Sequence, residues 1–259
     1  MNYPQIPTLN LAEDFYSVQC EGASTGIPSY FIRLAGCNLL CGNPVGGVNG
    51  SLKQSHDATW ICDSIPVWRK GTNTEFTAIV DKWKRENILD WVLDGRVHII
   101  WTGGEPTLMK HQRDIVGCID YMKESFGRSS YNEIETNGTC YIDDPLFERL
   151  DQINCSVKLE NSGMSKDKRI NSKGLKRIMS HRNYWFKFVI SNEDDIREIQ
   201  SDFINPLDIP HGKVLMMPGL DSRANFHERT LFSLLMAKKY GYVGLTRLHV
   251  SAWDKVTGV

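Results

Sequence analysis

Short β-rich segments that alternate with helical patterns constrain the fold of this 259-residue chain more than any other feature of its sequence. The segments with strand composition are residues 30–35, 97–101, 132–135, 153–157, 185–190, 214–217 and 245–250. Between them, residues 76–83 and 115–122 repeat apolar side chains at the i, i+3, i+4, i+7 spacing of an amphipathic helix, and Leu231, Leu234 and Leu235 mark a late helix. This alternation predicts parallel strands with helical crossovers, either in a closed or partly closed α/β barrel or in an open doubly wound sheet.

Unusual residues directly follow four successive predicted strands, and they are Cys37, Gly103-Gly104-Glu105, Thr136-Asn137 and Lys158. Functional residues at the carboxyl ends of successive strands are typical of a site on the C-terminal face of a barrel. No internal repeat or proline-rich linker divides the chain, and its length is compatible with one large domain. We therefore predict a single domain over residues 1–259, with a loop rich in Gly, Asn and Ser at about residues 42–61.

Net charge, apolar stretches and cysteine content exclude several classes of protein. The net charge of −1 argues against a protein that holds nucleic acid by bulk electrostatics. Residues 1–7 show no secretory signal, and no apolar stretch reaches the length of a membrane span, so we predict a cytoplasmic protein. Seven cysteines in such a chain indicate thiols or metal ligands, not a disulfide framework.

Three cysteines stand out by their position near the glycine-rich loop. Cys37 and Cys41 are separated by three residues, and Cys62 follows after twenty more. Thiolates gathered in this way favour zinc or an iron-sulfur cluster. Their spacing alone is also compatible with small buried side chains, which is the interpretation we give to Cys118 on an apolar helical stripe.

Seven segments of the sequence carry a resemblance to a known family, and they are residues 15–22, 26–41, 101–106, 135–139, 156–158, 186–190 and 248–253. In these segments, which span nearly the whole chain, the sequence resembles the 7-carboxy-7-deazaguanine synthases of the radical S-adenosylmethionine (SAM) superfamily. The resemblance implies a partial (β/α) TIM-like barrel of the radical SAM type, with an inserted loop after the first strand. It also implies the conversion of 6-carboxy-5,6,7,8-tetrahydropterin to 7-carboxy-7-deazaguanine with loss of ammonia, started by a 5'-deoxyadenosyl radical.

The same resemblance implies a 4Fe-4S cluster, SAM and Mg²⁺ as cofactors, an electron donor such as flavodoxin or ferredoxin, and a homodimer. Family members normally place three and then two residues between the cluster cysteines, whereas here an insertion of about eighteen residues displaces the third. Lengthening a flexible loop from two to twenty residues costs about 2 kcal/mol, which is small beside metal-thiolate coordination. We therefore predict Cys37, Cys41 and Cys62 as cluster ligands, in preference to Cys20 or His56.

The resemblance also assigns residues to the cofactors and the substrate. The residues assigned to SAM are Gly103, Gly104, Glu105, Thr136, Asn137, Ser156 and Lys158. The residues assigned to the pterin are Gln19, Glu21, Arg33 and His249, and Ser64 is assigned to Mg²⁺. Glycine in the first group is also the residue that admits a close approach to the backbone, which we attribute to a bound ligand.

Structural roles fit several of these residues equally well when the resemblance is set aside. The alternatives are a β-turn at 103–106, a solvated Lys158, an Arg33 in a surface ion pair, a core His249 and a turn residue at Ser64. Two rival functions also stay open. One is another radical SAM enzyme, such as an activase for a glycyl-radical enzyme, and the other is a binding module in which the three cysteines and His56 hold structural zinc.

Overall fold

A nine-stranded mixed sheet organises the chain in the computed structural model, which describes residues 5–49, 53, 55, 57–220, 222–256 and 258. Its strands are β1 (Thr8–Val18), β2 (Pro28–Leu34), β3 (Thr72–Glu75), β4 (His98–Gly103), β5 (Asn132–Thr136), β6 (Gln152–Ser156), β7 (Tyr184–Ile190), β8 (Val214–Pro218) and β9 (Val243–Gly244). The spatial order is β3-β1-β2-β4-β5-β6-β7-β8-β9.

Helices connect most of the strands. They are α1 (Ile65–Trp68), α2 (Phe76–Arg85), α3 (Leu89–Leu93), α4 (Met109–Phe126), α5 (Asp144–Phe147), α6 (Lys166–Arg169), α7 (Ser172–Met179), α8 (Glu193–Glu198), α9 (Asn205–Leu207), α10 (Phe226–Tyr240) and α11 (Leu248–Trp253). A π-helical turn, Ile199–Ile204, joins α8 to α9. The predicted helices at 76–83 and 115–122 are confirmed, because their apolar stripes are buried in α2 and α4.

Strand order distinguishes between the two predicted architectures. From β2 to β9 every neighbouring pair is parallel, and the strands follow one another in chain order without a reversal. A doubly wound sheet reverses its order at a switch point, so this arrangement is not doubly wound. The sheet is nevertheless open, because pairing ends at β3 and β9 within the residues that the structure describes. The α/β class is confirmed, whereas closure into a barrel is not.

The antiparallel edge of the sheet and the C-terminal segment differ from the prediction. Strand β1, which the sequence patterns did not predict, pairs antiparallel with both β2 and β3. The predicted strand at 245–250 is wrong, since α11 begins at Leu248. The backbone N–H of Leu248 donates to the carbonyl of Cys20 (3.2 Å), in the β1–β2 connection, and not to a strand. Only Val250 of this helix is buried, so its apolar content does not require a place in the sheet.

Helix α10 confirms the predicted late helix. Its three leucines, however, are exposed. In the part of the chain that the structure describes, no helix is both long and apolar enough to cross a membrane.

Candidate active site

The carboxyl edge of the parallel strands collects the residues that follow them in sequence. Gly103, Thr136 and Ser156 are the last residues of β4, β5 and β6, and Cys37 lies three residues beyond β2. Ligands of open α/β sheets bind at this edge, where the carboxyl ends of parallel strands meet. The fold therefore brings the predicted cluster and SAM residues to one side of the sheet.

Two glycines after β4 allow the ends of β2 and β4 to touch. A Cβ atom on Gly104 would lie 1.9 Å from the carbonyl oxygen of Gly36, and one on Gly103 would lie 2.2 Å from that of Leu34. The backbone amide of Glu105 donates to the Gly36 carbonyl over 2.9 Å. The close approach that requires glycine here is thus made by the protein's own chain, and contact with SAM stays a prediction.

The carboxylate of Glu105 is fully buried and is satisfied by uncharged donors. One oxygen accepts from the backbone amide (2.9 Å) and hydroxyl (2.5 Å) of Thr107 and from the hydroxyl of Thr136 (2.7 Å). The other oxygen accepts from the backbone amide of Asn137 (2.7 Å). Glu105 therefore holds the chain that follows β5 in place against the chain that follows β4.

Asn137 links that segment to the first cysteine. Its amide nitrogen donates to Asn38 Oδ1 (3.0 Å) and lies 3.9 Å from Cys37 Sγ. Its side-chain oxygen accepts from the backbone amide of Thr139 (2.9 Å). On the neighbouring strand, Lys158 Nζ donates to Ser156 Oγ over 2.9 Å.

The three predicted cluster cysteines lie in one region of this edge. Burial, together with smaller contributions from the charges of Glu105, Cys41 and Cys62, raises the pKa of Cys37 to about 12. Burial raises the pKa of Cys41 to about 11, although the Lys158 ammonium opposes the shift. The backbone amide of Cys62 donates to the carbonyl of Cys41 over 3.1 Å, so the third cysteine lies beside the second despite the twenty residues between them.

Metal ligands are not already assembled at this edge. Within the described ranges, no three His, Cys, Asp or Glu side chains are arranged to hold a metal ion. The three thiols are near enough to influence one another's charge, and their role as ligands stays a prediction. His56, the fourth member of the zinc hypothesis, lies outside the described residues.

The predicted substrate residues Gln19 and Glu21 come from the β1–β2 connection. The amide of Gln19, which is buried, donates to Glu135 Oε1 (3.1 Å), and its oxygen accepts from the backbone amide of Glu21 (3.1 Å). The other oxygen of Glu135 accepts from the hydroxyl of Thr102 over 2.8 Å.

Glu21 is the centre of a group of charged side chains. Its carboxylate contacts Lys187 Nζ (2.5 Å) and Arg247 Nε (2.9 Å), and His249 Nδ1 lies 3.9 Å away. Burial alone would raise the pKa of Glu21, but the charges of Lys187 and Arg247 outweigh it and hold this pKa well below its usual range. Burial lowers the pKa of His249, and the Glu21 carboxylate only partly offsets this effect. Glu21 is therefore an anion at neutral pH.

Arg33 and Ser64 contact each other, and Asp63 connects them to Arg247. Arg33 Nε is paired with Glu13 (2.8 Å), and Arg33 Nη1 donates to Ser64 Oγ (3.2 Å). The Ser64 hydroxyl donates to Asp63 Oδ1 (3.0 Å), and Asp63 Oδ2 accepts from Arg247 Nη2 (2.9 Å). A chain of contacts thus joins Arg33 to Glu21 through Ser64, Asp63 and Arg247.

Four residues of this site were not among the predicted site residues, and they are Asp63, Glu135, Lys187 and Arg247. Lys187 did carry a signal in the sequence, because it is a single charge between Phe186 and Phe188 in an otherwise apolar strand, and its side chain is buried. A buried lysine requires a partner, which here is Glu21.

Comparison with known proteins gives a consistent result. No family model matches the chain. The 7-carboxy-7-deazaguanine synthase of Pyrobaculum aerophilum is 28% identical over 254 residues, which are 97% of this chain and 98% of that protein. The 7-carboxy-7-deazaguanine synthase of Rhodopirellula baltica is 30% identical over 224 residues, which are 82% of this chain and 73% of that protein. The crystal structure of QueE from Escherichia coli matches with a TM-score of 0.60 and 19% identity, over 93% of this chain and 95% of that one, so the two share a fold.

Proposed function

Because the chain belongs to the 7-carboxy-7-deazaguanine synthase family, we propose that it is a radical SAM lyase that converts 6-carboxy-5,6,7,8-tetrahydropterin to 7-carboxy-7-deazaguanine with loss of ammonia. The observation that supports this function best is the guanidinium of Arg247, which joins the predicted substrate and cluster residues. It contacts the Glu21 carboxylate (2.9 Å) and the carboxylate of Asp63 (2.9 Å), the residue that follows Cys62. The rival activase and zinc-module functions gain no support from the relatives.

A 4Fe-4S cluster fits the donor set of this edge. Cys37, Cys41 and Cys62 supply three soft sulfur ligands, and the Lys158 ammonium favours the thiolate forms of the last two. When bound, the cluster and SAM supply the reductive bond cleavage that produces a hydrogen-abstracting radical. The chain's own task is to hold these groups near the pterin and to exclude water.

SAM is assigned to the ends of β4, β5 and β6. Asn137 and Thr136 are held by Glu105, and Lys158 is held by Ser156. Polar side chains fixed by such hydrogen bonds reduce the entropy that a ligand must overcome on binding. Glu105 acts through its neighbours in this arrangement, since its carboxylate already accepts four hydrogen bonds.

The pterin is assigned to the group of charged side chains around Glu21. Lys187 and Arg247 keep Glu21 ionised, so its carboxylate can accept hydrogen bonds from the N–H groups of a pterin ring. The amide of Gln19 lies beside it, and His249 is also within this group. Arg33 would bind the substrate carboxylate, in competition with its ion pair to Glu13.

Mg²⁺ is assigned to Ser64. Its hydroxyl donates to Asp63 and accepts from Arg33, which leaves one oxygen lone pair for a cation. A single neutral oxygen can orient Mg²⁺ while substrate oxygens and waters supply most of its ligands.

Several further features stay predictions. They are the curvature of the parallel strands into a partial (β/α) barrel, a single domain over residues 1–259, homodimerisation, an electron donor such as flavodoxin or ferredoxin, and a cytoplasmic location.

Anaerobic reconstitution with iron and sulfide tests the proposed function. We expect about four iron atoms per chain in the wild type and in Cys118→Ala, whose thiol is buried in the core, and loss of the cluster in Cys37→Ala, Cys41→Ala and Cys62→Ala. The reconstituted protein should form 7-carboxy-7-deazaguanine from the carboxypterin. A colourless zinc protein, or SAM cleavage that the carboxypterin does not stimulate and that yields no product, would contradict the proposal.

A separation of activities tests the substrate residues. Arg33→Ala and His249→Ala should lose product formation about ten- to a hundredfold while they keep uncoupled SAM cleavage, because they are assigned to the pterin and not to SAM. Unchanged product formation in both variants would remove them from the site.

A further inference from the structure

The inserted loop at residues 42–61 is fastened at both ends to one short segment after β6. The backbone amide of Gly42 donates to the carbonyl of Ser162 (2.7 Å), and that of Thr59 donates to the carbonyl of Asn161 (2.9 Å). Ala58 also forms an isolated antiparallel bridge with Ser162. The loop therefore leaves and re-enters the fold at the same place.

Asn161 secures the returning end of the loop by its side chain. Its Oδ1 accepts from the indole N–H of Trp60 (2.9 Å), and its Nδ2 donates to the carbonyl of Val189 in β7 (3.0 Å). Asn161 is buried, so neither bond competes freely with water. The side chain thus ties Trp60 to the central sheet.

Trp60 precedes Cys62 by two residues, and close packing fixes the chain between them. A Cβ atom on Gly42 would lie 2.7 Å from the Cα of Ile61, so the first and last residues of the loop are in close contact. The amide of Cys62 then reaches the carbonyl of Cys41. The ammonium of Lys158 lies 5.9 Å from the centroid of the Trp60 ring.

We propose that Trp60 and Asn161 are positioning residues that hold Cys62 beside Cys41, so that the displaced third cysteine can serve as a cluster ligand. This inference rests on the proposed function, because it presupposes the cluster. An unfastened loop of twenty residues would leave the third thiol distributed over many positions. The Trp60–Asn161 hydrogen bond replaces that freedom with a fixed point two residues from the ligand.

We call the Trp60–Asn161 hydrogen bond the clamp, and the rate of iron release to a ferrous chelator tests it. In reconstituted Trp60→Phe protein we expect iron to be lost about five- to tenfold faster than in the wild type, as the loss of one buried hydrogen bond suggests. Asn161→Ala should lose iron at least as fast, because it also removes the donor to the Val189 carbonyl. Trp60→Phe is the milder variant, since it keeps an aromatic ring near Lys158. The chain offers a matched control in Trp185→Phe, because the Trp185 indole donates to Asn183 Oδ1 (3.0 Å) at the amino end of β7, away from the cysteines. Its iron should be released at the wild-type rate.

The double variant distinguishes a shared bond from two unrelated defects. Trp60→Phe/Asn161→Ala should release iron no faster than Asn161→Ala alone, because both changes break the same contact. Release rates that multiply, or single variants that match the wild type, would overturn the clamp while leaving the proposed function intact. If the wild type itself takes up no iron and sulfide, the proposed function fails, and the clamp fails with it.

Discussion

Two carboxylates of the candidate site, the fully buried Glu105 and the half-buried Glu21, are stabilised in opposite ways. Glu105 accepts four hydrogen bonds from uncharged donors, two of them backbone amides, and all lie within thirty-two residues along the chain. Glu21 instead contacts two cations, Lys187 and Arg247, which lie 166 and 226 residues away. One part of the site is thus held by hydrogen bonds from uncharged donors, and the other part by charge pairs between residues far apart in the chain.

The two arrangements serve different purposes, because one fixes the position of a chain segment and the other keeps a carboxylate charged. Hydrogen bonds to backbone amides fix the position of a chain segment, and they suit Glu105, which holds the segment assigned to SAM. Ion pairs keep a carboxylate anionic while leaving its remaining lone pairs available, and they suit Glu21, which is assigned to the substrate. The following changes test whether the two parts differ in this way.

Glu105→Gln should have the largest effect on stability. Whichever way the amide turns, its NH₂ group faces at least one backbone N–H that can only donate, at Thr107 or Asn137. We expect the free energy of unfolding of the apoprotein to fall by about 3 kcal/mol or more. Urea unfolding measures this, with Glu135→Gln as the control, because the donors to Glu135 among the described residues are the side chains of Gln19 and Thr102. Equal losses in the two variants would show that backbone donors are not what distinguishes Glu105.

Arg247→Gln should have the second largest effect, of about 2 kcal/mol on the apoprotein. The substitution removes the guanidinium shared by Glu21 and Asp63, but Lys187 still pairs with Glu21. Arg223→Gln is a matched control, because the Arg223 side chain is exposed and donates its hydrogen bonds to backbone carbonyls of α11. Its loss should be below about 0.5 kcal/mol, and a loss as large as that of Arg247→Gln would argue against a special role for the shared ion pairs.

Acid should reduce the contribution of the Glu21 ion pairs to the free energy of unfolding. The native pKa of Glu21 lies below its ordinary value of 4.5, so the stabilisation is complete above that pH. Below it the unfolded chain binds a proton at Glu21 and the folded chain does not. The wild type should therefore lose up to about 1.4 kcal/mol per pH unit from this group as pH falls, and Glu21→Gln should lack that part of the slope. Identical slopes for both proteins between about pH 4.5 and pH 3.5 would refute the assigned shift.

Thr136→Val should give the smallest change. It keeps the side-chain shape but removes one of four donors to Glu105 and the acceptor for the backbone amide of Gly138 (3.1 Å). We expect a loss of about 1 kcal/mol in urea unfolding, and Thr136→Ser should retain most of this hydrogen bonding. If serine is no better than valine, packing of the methyl group accounts for the effect of the valine change.

The fold was predictable from sequence where local patterns and burial agree. Strands β4 to β8 and helices α2 and α4 have apolar patterns that match their buried faces, and the prediction located them within a few residues. The segment at 245–250 was misassigned, because short apolar runs suit either a strand or a helix. Two of its backbone amides bond to distant parts of the chain, since that of Leu245 donates to Met216 in β8 and that of Leu248 donates to Cys20, and no local pattern records these contacts.

The site shows the same division. Cysteine spacing and the family resemblance predicted Cys37, Cys41 and Cys62 as cluster ligands. The structure brings these cysteines near one another, and their role as ligands stays a prediction. The resemblance did not supply Lys187, Arg247 or Asp63, whose roles arise from partners far away in the chain. Arg33 shows the converse, since the alternative of an ion pair is realised with Glu13 while its predicted role in substrate binding stays a prediction.

The contact between Cys41 and Cys62 has a consequence for protein engineering. The backbone amide of Cys62 meets the carbonyl of Cys41 over 3.1 Å, so the loop between these residues begins and ends at one place in the fold. Exposed Gly46 lies within that loop. A reporter domain or an affinity peptide could be inserted at this position with little change where the loop closes. The protein could then be immobilised through a segment away from the predicted cluster and substrate residues.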